Sequence, residues 1–236
     1  MPALRRGWIL AASALALACA RGVPPHPATG SGAYGQLHLV PRAGVTPGRP
    51  SDPSYGDRRL RDVTFVDYAH PGFAVVWAEG PPSPAGLVEL SIRDVRGGVA
   101  VEPEYAAVGA GGSIVVRNAA DDAHVVSCPG AELVRILAPG ERVEIPALAP
   151  GEEPVFVLDA RAARASIFVS PGPFAVTDTN GYFALRDLPP GRVRLRAWHP
   201  RFPPASQVLD VAEGRATRVD IEMGVDRVGD DADASH

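Results

Sequence analysis

Apolar residues along this chain recur at every second position, the spacing that places alternate side chains on opposite faces of a strand. Leu37 and Leu39 share a face within 36–40, and Val63 and Phe65 flank Thr64. Val88, Leu90 and Ile92 alternate with polar neighbours, and Ile114 with Val116, Val143 with Ile145, and Val155 with Val157 repeat the device. The clearest case is Arg192–Trp198, where Val193, Leu195 and Ala197 face one way and three arginines the other; Val219 and Ile221 supply the last pair. About a dozen such segments at 8–12-residue spacing predict an all-β protein built as sandwiches. No window of ten residues carries a helical stripe, the nearest being 159–165, which predicts one or two helical turns at most.

Turn chemistry divides these segments. Asn180-Gly181 between Phe174–Val176 and Tyr182–Leu185 predicts a hairpin. Pro189-Pro190-Gly191 predicts the turn between the next pair of strands, and Pro139-Gly140 and Pro150-Gly151 bracket a strand at 141–145. Asp178-Thr179-Asn180-Gly181 lacks the remainder of a calcium loop and is read as a structural turn.

Composition supports a buried core: 46% of the 236 residues are hydrophobic and 21% charged. All 23 basic residues are Arg. The formal charge of −4 gives no basic footprint for nucleic acid. Arg5 and Arg6 precede the apolar run Trp8–Ala18, which ends in small residues before Cys19, the three-part pattern of a secretory signal. That run is about half of the roughly 20 residues a membrane-spanning helix needs. Leu15-Ala16-Leu17-Ala18-Cys19 resembles a bacterial lipoprotein box, which implies a lipid on Cys19; an ordinary cut after Ala18 is the alternative. Removal of residues 1–18 leaves 21 Arg against 27 acidic residues, a balance of −6.

The expected organisation is a signal peptide at 1–18, a Pro/Gly-rich tether at 19–34, early strands at 35–80, sandwiches at 81–170 and 171–224, and an acidic disordered tail at 225–236. With Cys19 at the frayed terminus or lipidated, Cys128 is expected to be a lone thiol, either buried as a small apolar residue or exposed in a loop.

Two resemblances follow from these segments. Gly172–Pro200, with Thr177-Asp178, Gly181-Tyr182-Phe183, Leu188-Pro189-Pro190-Gly191 and the arginine-lined strand, is similar to the carboxypeptidase regulatory-like, transthyretin-type sandwich. Tyr105–Phe168, with Val108–Asn118, Asp121–Ser127 and Pro139-Gly140, looks like a cupredoxin. Exported proteins related to methylamine-utilisation proteins carry the two modules in this order, and Trp198-His199-Pro200 matches them as well. The resemblance implies that Gly35–Val40 and Phe73–Trp77 belong to the second sandwich, with the cupredoxin-like module inserted.

A blue-copper centre needs two His, a Cys thiolate and usually a weak axial Met. By resemblance His124 holds the first His position, and the remaining ligands fall to the loop 159–165, which has no Cys, His or Met and carries Arg161 and Arg164. His124, Cys128 and His199 are therefore candidates for a vestigial metal site, and no cofactor is expected, copper being the one alternative. Adjacent Asp121 and Asp122 point apart, and the Ser127-Cys128 thiol near His124 lacks an orienting third group, so no enzymatic constellation emerges. The expected function is that of a non-enzymatic exported protein of the cell envelope, periplasm-facing, anchored to the outer membrane by lipid or else soluble in the periplasm. Its expected partner is an unidentified envelope protein or polysaccharide. The alternatives are copper-based electron transfer through His124 and carbohydrate binding by Trp77, Trp198, Tyr182 and Phe202.

Overall fold

The computed structural model describes residues 30–44, 66–80, 82–147, 149–160 and 163–226. The expected signal peptide, Cys19, most of the tether, the Val63/Phe65 segment, Arg161 and residues 227–236 lie outside the described residues.

The described chain forms β1 (Gly32–Leu39), β2 (Val75–Ala78), β3 (Leu87–Val95), β4 (Gly98–Glu102), β5 (Tyr105–Gly109), β6 (Gly112–Asn118), β7 (His124–Cys128), β8 (Leu133–Leu137), β9 (Arg142–Ala147), β10 (Gly151–Val157), β11 (Arg164–Ser170), β12 (Phe174–Val176), β13 (Tyr182–Arg186), β14 (Gly191–His199), β15 (Phe202–Val211), β16 (Ala216–Arg218) and β17 (Ile221–Met223). One 3-10 turn, Pro129–Ala131, is the helical element among the described residues. The all-β expectation holds.

The first sandwich packs the sheet β4-β3-β6-β9 on the sheet β5-β11-β10-β7-β8. Leu90, Ile92, Ile114, Val116 and Ile145 from one sheet meet Val126, Cys128, Val155 and Ile167 from the other in one core. The second sandwich packs β13-β1-β16, with β17 also on β1, against β12-β2-β14-β15. Its core joins Leu37, Phe183, Leu185 and Ile221 to Val76, Val193, Leu195 and Leu209. Strands from both sides of the first sandwich thus build the second: β1 pairs with β13, β16 and β17, and β2 with β12 and β14.

The run Val75-Val76-Trp77-Ala78 is buried throughout because β2 is covered on both faces. Val76 and Ala78 enter the second core, while Val75 and Trp77 face the first sandwich. There they meet Phe168 of β11, with Ala107, Phe73, Phe174 and Trp198 packed around them. The four sheets therefore stack face to face, the two sandwiches being glued by an aromatic layer between their middle sheets.

Four local expectations are corrected. Strand β1 begins at Gly32, inside the segment expected to be tether, because Gly32–Tyr34 pair with Ala184–Arg186 and with Ala216–Arg218. The Asn180-Gly181 turn does not close a hairpin: β12 pairs with β2 and β13 with β1, so the chain crosses between sheets there. Asp178 makes that crossing, its Oδ1 accepting the N–H groups of Asn180 and Tyr182, both at 2.9 Å. Gly181 alone takes positive φ, at 84°, where a Cβ would collide with the Leu37 carbonyl. The Pro189-Pro190-Gly191 turn likewise joins strands of opposite sheets, β13 on β1 and β14 on β15. In 159–165 a turn at 158–159 leads towards β11, which starts at Arg164, and no helical turn forms among the described residues of that segment.

Candidate functional site

Strand β7 carries two of the residues singled out for chemistry, and both its ends are held by carboxylates of one neighbouring segment. At its start Asp159 grips twice: Oδ2 lies 3.0 Å from His124 Nδ1, and Oδ1 accepts the Val125 N–H at 2.9 Å. Partial burial alone would raise the Asp159 pKa, but the bonds from Val125 and His124 outweigh it and hold the carboxyl below the usual range. The ionised carboxylate makes Nδ1 the donor. Nε2 is then left buried with no partner among the described residues.

At the other end Glu153 of β10 does the same. Its Oε1 accepts the Cys128 Sγ–H at 3.1 Å and the Gly130 N–H at 3.0 Å. Any side chain at Gly130 would strike the Glu153 carboxylate. Cys128 is fully buried, and this burial, reinforced by the carboxylate, pushes its thiol up to about 12. Such a thiol is neither a nucleophile nor a ready metal ligand at neutral pH.

His124 and Cys128 sit four residues apart on one face of β7, a span of roughly 13 Å along an extended strand. His199 belongs to β14 of the other sandwich. Its Nδ1 accepts the Arg201 N–H at 3.1 Å and its Nε2 lies 3.2 Å from the Pro71 carbonyl, so the neutral ring uses both nitrogens. Burial lowers its pKa, with nearby Arg201 adding to the shift. The structure does not bring His124, Cys128 and His199 together, and no group of three His, Cys, Asp or Glu side chains suited to a metal occurs among the described residues. The side chains present do not fit a copper centre: one imidazole is pinned and sealed, the thiol is held protonated, and the second imidazole is remote.

Sequence reading missed Asp159 and Glu153. Asp159 stands in the segment searched for copper ligands, where only Cys, His and Met were sought. Glu153 reads as an ordinary strand carboxylate, with nothing in the sequence to pair it with Cys128.

A different feature concentrates polar chemistry. Where the sandwiches meet, a cleft of about 510 Å³ is lined by Asp67, His70, Phe73, Glu104, Tyr105, Arg164, His199 and Arg201, among others. Strand alternation explains the first sandwich's share. Arg164, Ser166 and Phe168 project from one face of β11, and parallel pairing of β5 sets Tyr105 beside Ser166 and Ala107 beside Phe168. Phe168 anchors the joint, and Arg164 and Tyr105 stand at its lip. Phe73 stacks on Tyr105 at 6.0 Å between centroids and meets Trp198 edge-on at 6.4 Å. The proposed stacking aromatics are largely engaged elsewhere: Trp77 and Phe202 are buried, Trp198 lies against Phe168, and Tyr182 is half-buried on β13.

The solved structures that this chain resembles include a purple cupredoxin from Nitrosopumilus maritimus, 16% identical over 35% of this chain and 99% of that one, TM-score 0.31. Another is a multicopper oxidase, 8% identical over 59% of this chain and 92% of that one, TM-score 0.27. No curated protein matches the chain in sequence. Residues 156–224, from the end of β10 to just past β17, match the family described as the carboxypeptidase regulatory-like domain.

Proposed function

We propose that this chain is a non-enzymatic binding module of the cell envelope, exported through its N-terminal signal and tethered by a lipid on Cys19. The observation that carries the reading is the double clasp on β7. Asp159 and Glu153 engage His124 and Cys128 in bonds that serve the fold. The cleft described above is instead assembled from both sandwiches, as binding clefts between rigid modules are. The expected partner is a polysaccharide or protein of the envelope.

A second reading, copper binding through His124, draws on the unpartnered Nε2. Titrating the purified mature protein with Cu(I) and Cu(II), while following absorption in the thiolate-to-copper band, separates the two. The module reading expects no intense band and no stoichiometric uptake, in the parent and in His124→Ala alike. Coloured, stoichiometric binding that disappears in His124→Ala would overturn it.

A further inference from the structure

The lip of the inter-sandwich cleft places two guanidiniums, two carboxylates and a ring pair around one space. Arg164 comes from the first sandwich, and its guanidinium has no hydrogen-bond or ion-pair partner among the described residues. Arg201 comes from the second and already has an intramolecular partner. Both act electrostatically on the Tyr105 hydroxyl, whose pKa is raised by burial and by Glu104 beside it. Asp67 is held in place by His70 Nδ1 at 2.9 Å and by the N–H groups of Ala69 and His70 at 2.9 and 3.2 Å.

These groups define a ligand chemistry. A guanidinium with no partner selects a carboxylate or phosphate through a charge-assisted, bidentate bond. The carboxylates repel a bare anion but accept hydrogen bonds from hydroxyls, so the ligand that suits both is an anion that is also polyhydroxylated. The Phe73–Tyr105 pair adds an apolar wall for the ring of such a molecule. We propose that the cleft binds an acidic saccharide, its carboxylate or phosphate on Arg164 with Arg201 beside it, its hydroxyls on Asp67 and Glu104, and its ring against Phe73 and Tyr105. This rests on the binding-module reading and names the ligand class of that module. Because the groups come from both sandwiches, an occupant bridges them.

Calorimetric titration of the mature protein with a galacturonate disaccharide, glucose 6-phosphate, inorganic phosphate and a neutral galactose disaccharide tests it. The acidic disaccharide or the sugar phosphate is expected to bind at least tenfold more tightly than the neutral disaccharide and than inorganic phosphate, and their ranking tells carboxylate from phosphate. Arg164→Ser is expected to weaken that binding at least tenfold with the thermal midpoint unchanged. Arg135→Ser, on the far edge strand β8, is expected to leave it intact. Equal affinity for acidic and neutral sugars, binding indifferent to Arg164→Ser, preference for inorganic phosphate, or no binding would each overturn the inference. The copper titration judges the module reading separately.

Discussion

The ring of Phe168 stacks on the indole of Trp198 with centroids 5.1 Å apart and 25° between planes, and the two belong to different sandwiches. Trp77 closes on the same ring at 4.8 Å. Aromatic pairs of this kind contribute about 0.5–1.5 kcal/mol beyond the area they bury.

Truncation at this joint is therefore expected to uncouple the modules. Phe168→Ala should lower stability by about 3–5 kcal/mol, as for other buried Phe truncations. Denaturant unfolding followed by Trp fluorescence and by far-UV circular dichroism should then show two separated transitions. Coincident transitions with a loss under about 1 kcal/mol would show that the joint is held elsewhere.

His199 imposes a pH dependence. Its folded pKa lies below the unfolded value near 6.5, so the unfolded chain takes up the proton first as pH falls. Its contribution is complete above about pH 6.5 and declines below that. Urea midpoints measured between pH 7.5 and 5 should fall in the parent, and the slope should flatten in His199→Gln, which is also less stable at pH 7.5. Equal slopes would remove His199 from the account.

Cys128 is expected to be silent towards thiol reagents in the folded protein. Iodoacetamide at pH 8, followed by peptide mapping, should leave Cys128 unmodified for hours and alkylate it fully in urea. The thiol's fully buried position and its pKa of about 12 both act in this direction. Rapid native alkylation would mean that β7 opens readily.

Lipidation is checked on the mature N-terminus by mass spectrometry. A diacyl-modified, N-acylated Cys19 is expected, giving stable attachment because each buried methylene adds about 0.8 kcal/mol. A free Ala20, or an unmodified Cys19, would remove the lipid anchor.

Strand content was legible because alternation such as Val193/Leu195/Ala197 is enforced whenever one sheet face is buried. The doubly buried β2 does not alternate, and only the family resemblance, through Phe73–Trp77, marked it as a strand of the second sandwich. Pairing partners were not legible from local signals. Asn180-Gly181 carries a strong hairpin signature, yet Asp178 and the close approach of Leu37 turn it into a crossing between sheets. The same limit applies to chemistry. His124 and Cys128 could be picked out by residue type, but the carboxylates that engage them lie 35 and 25 positions away. The inter-sandwich cleft depends on long-range packing of β5 and β11 against β14, and no segment announces it.

The discontinuity of the second sandwich dictates an order of assembly. β3 through β11 are contiguous, and every sheet partner of these strands lies between residues 87 and 170. That unit can close before the remainder of the chain has been delivered. β1 must wait for β13, and Gly32 finds Arg186 only after the intervening chain has been delivered. Closing a loop of this length from a loose chain carries a large entropic cost, and a folded insert shortens the effective distance its ends must search. The inner sandwich thus serves as the clasp that draws the two halves of the outer one together. A chain cut before β13 would retain the inner unit while exposing β1 as an unpaired edge, the form most prone to associate with copies of itself.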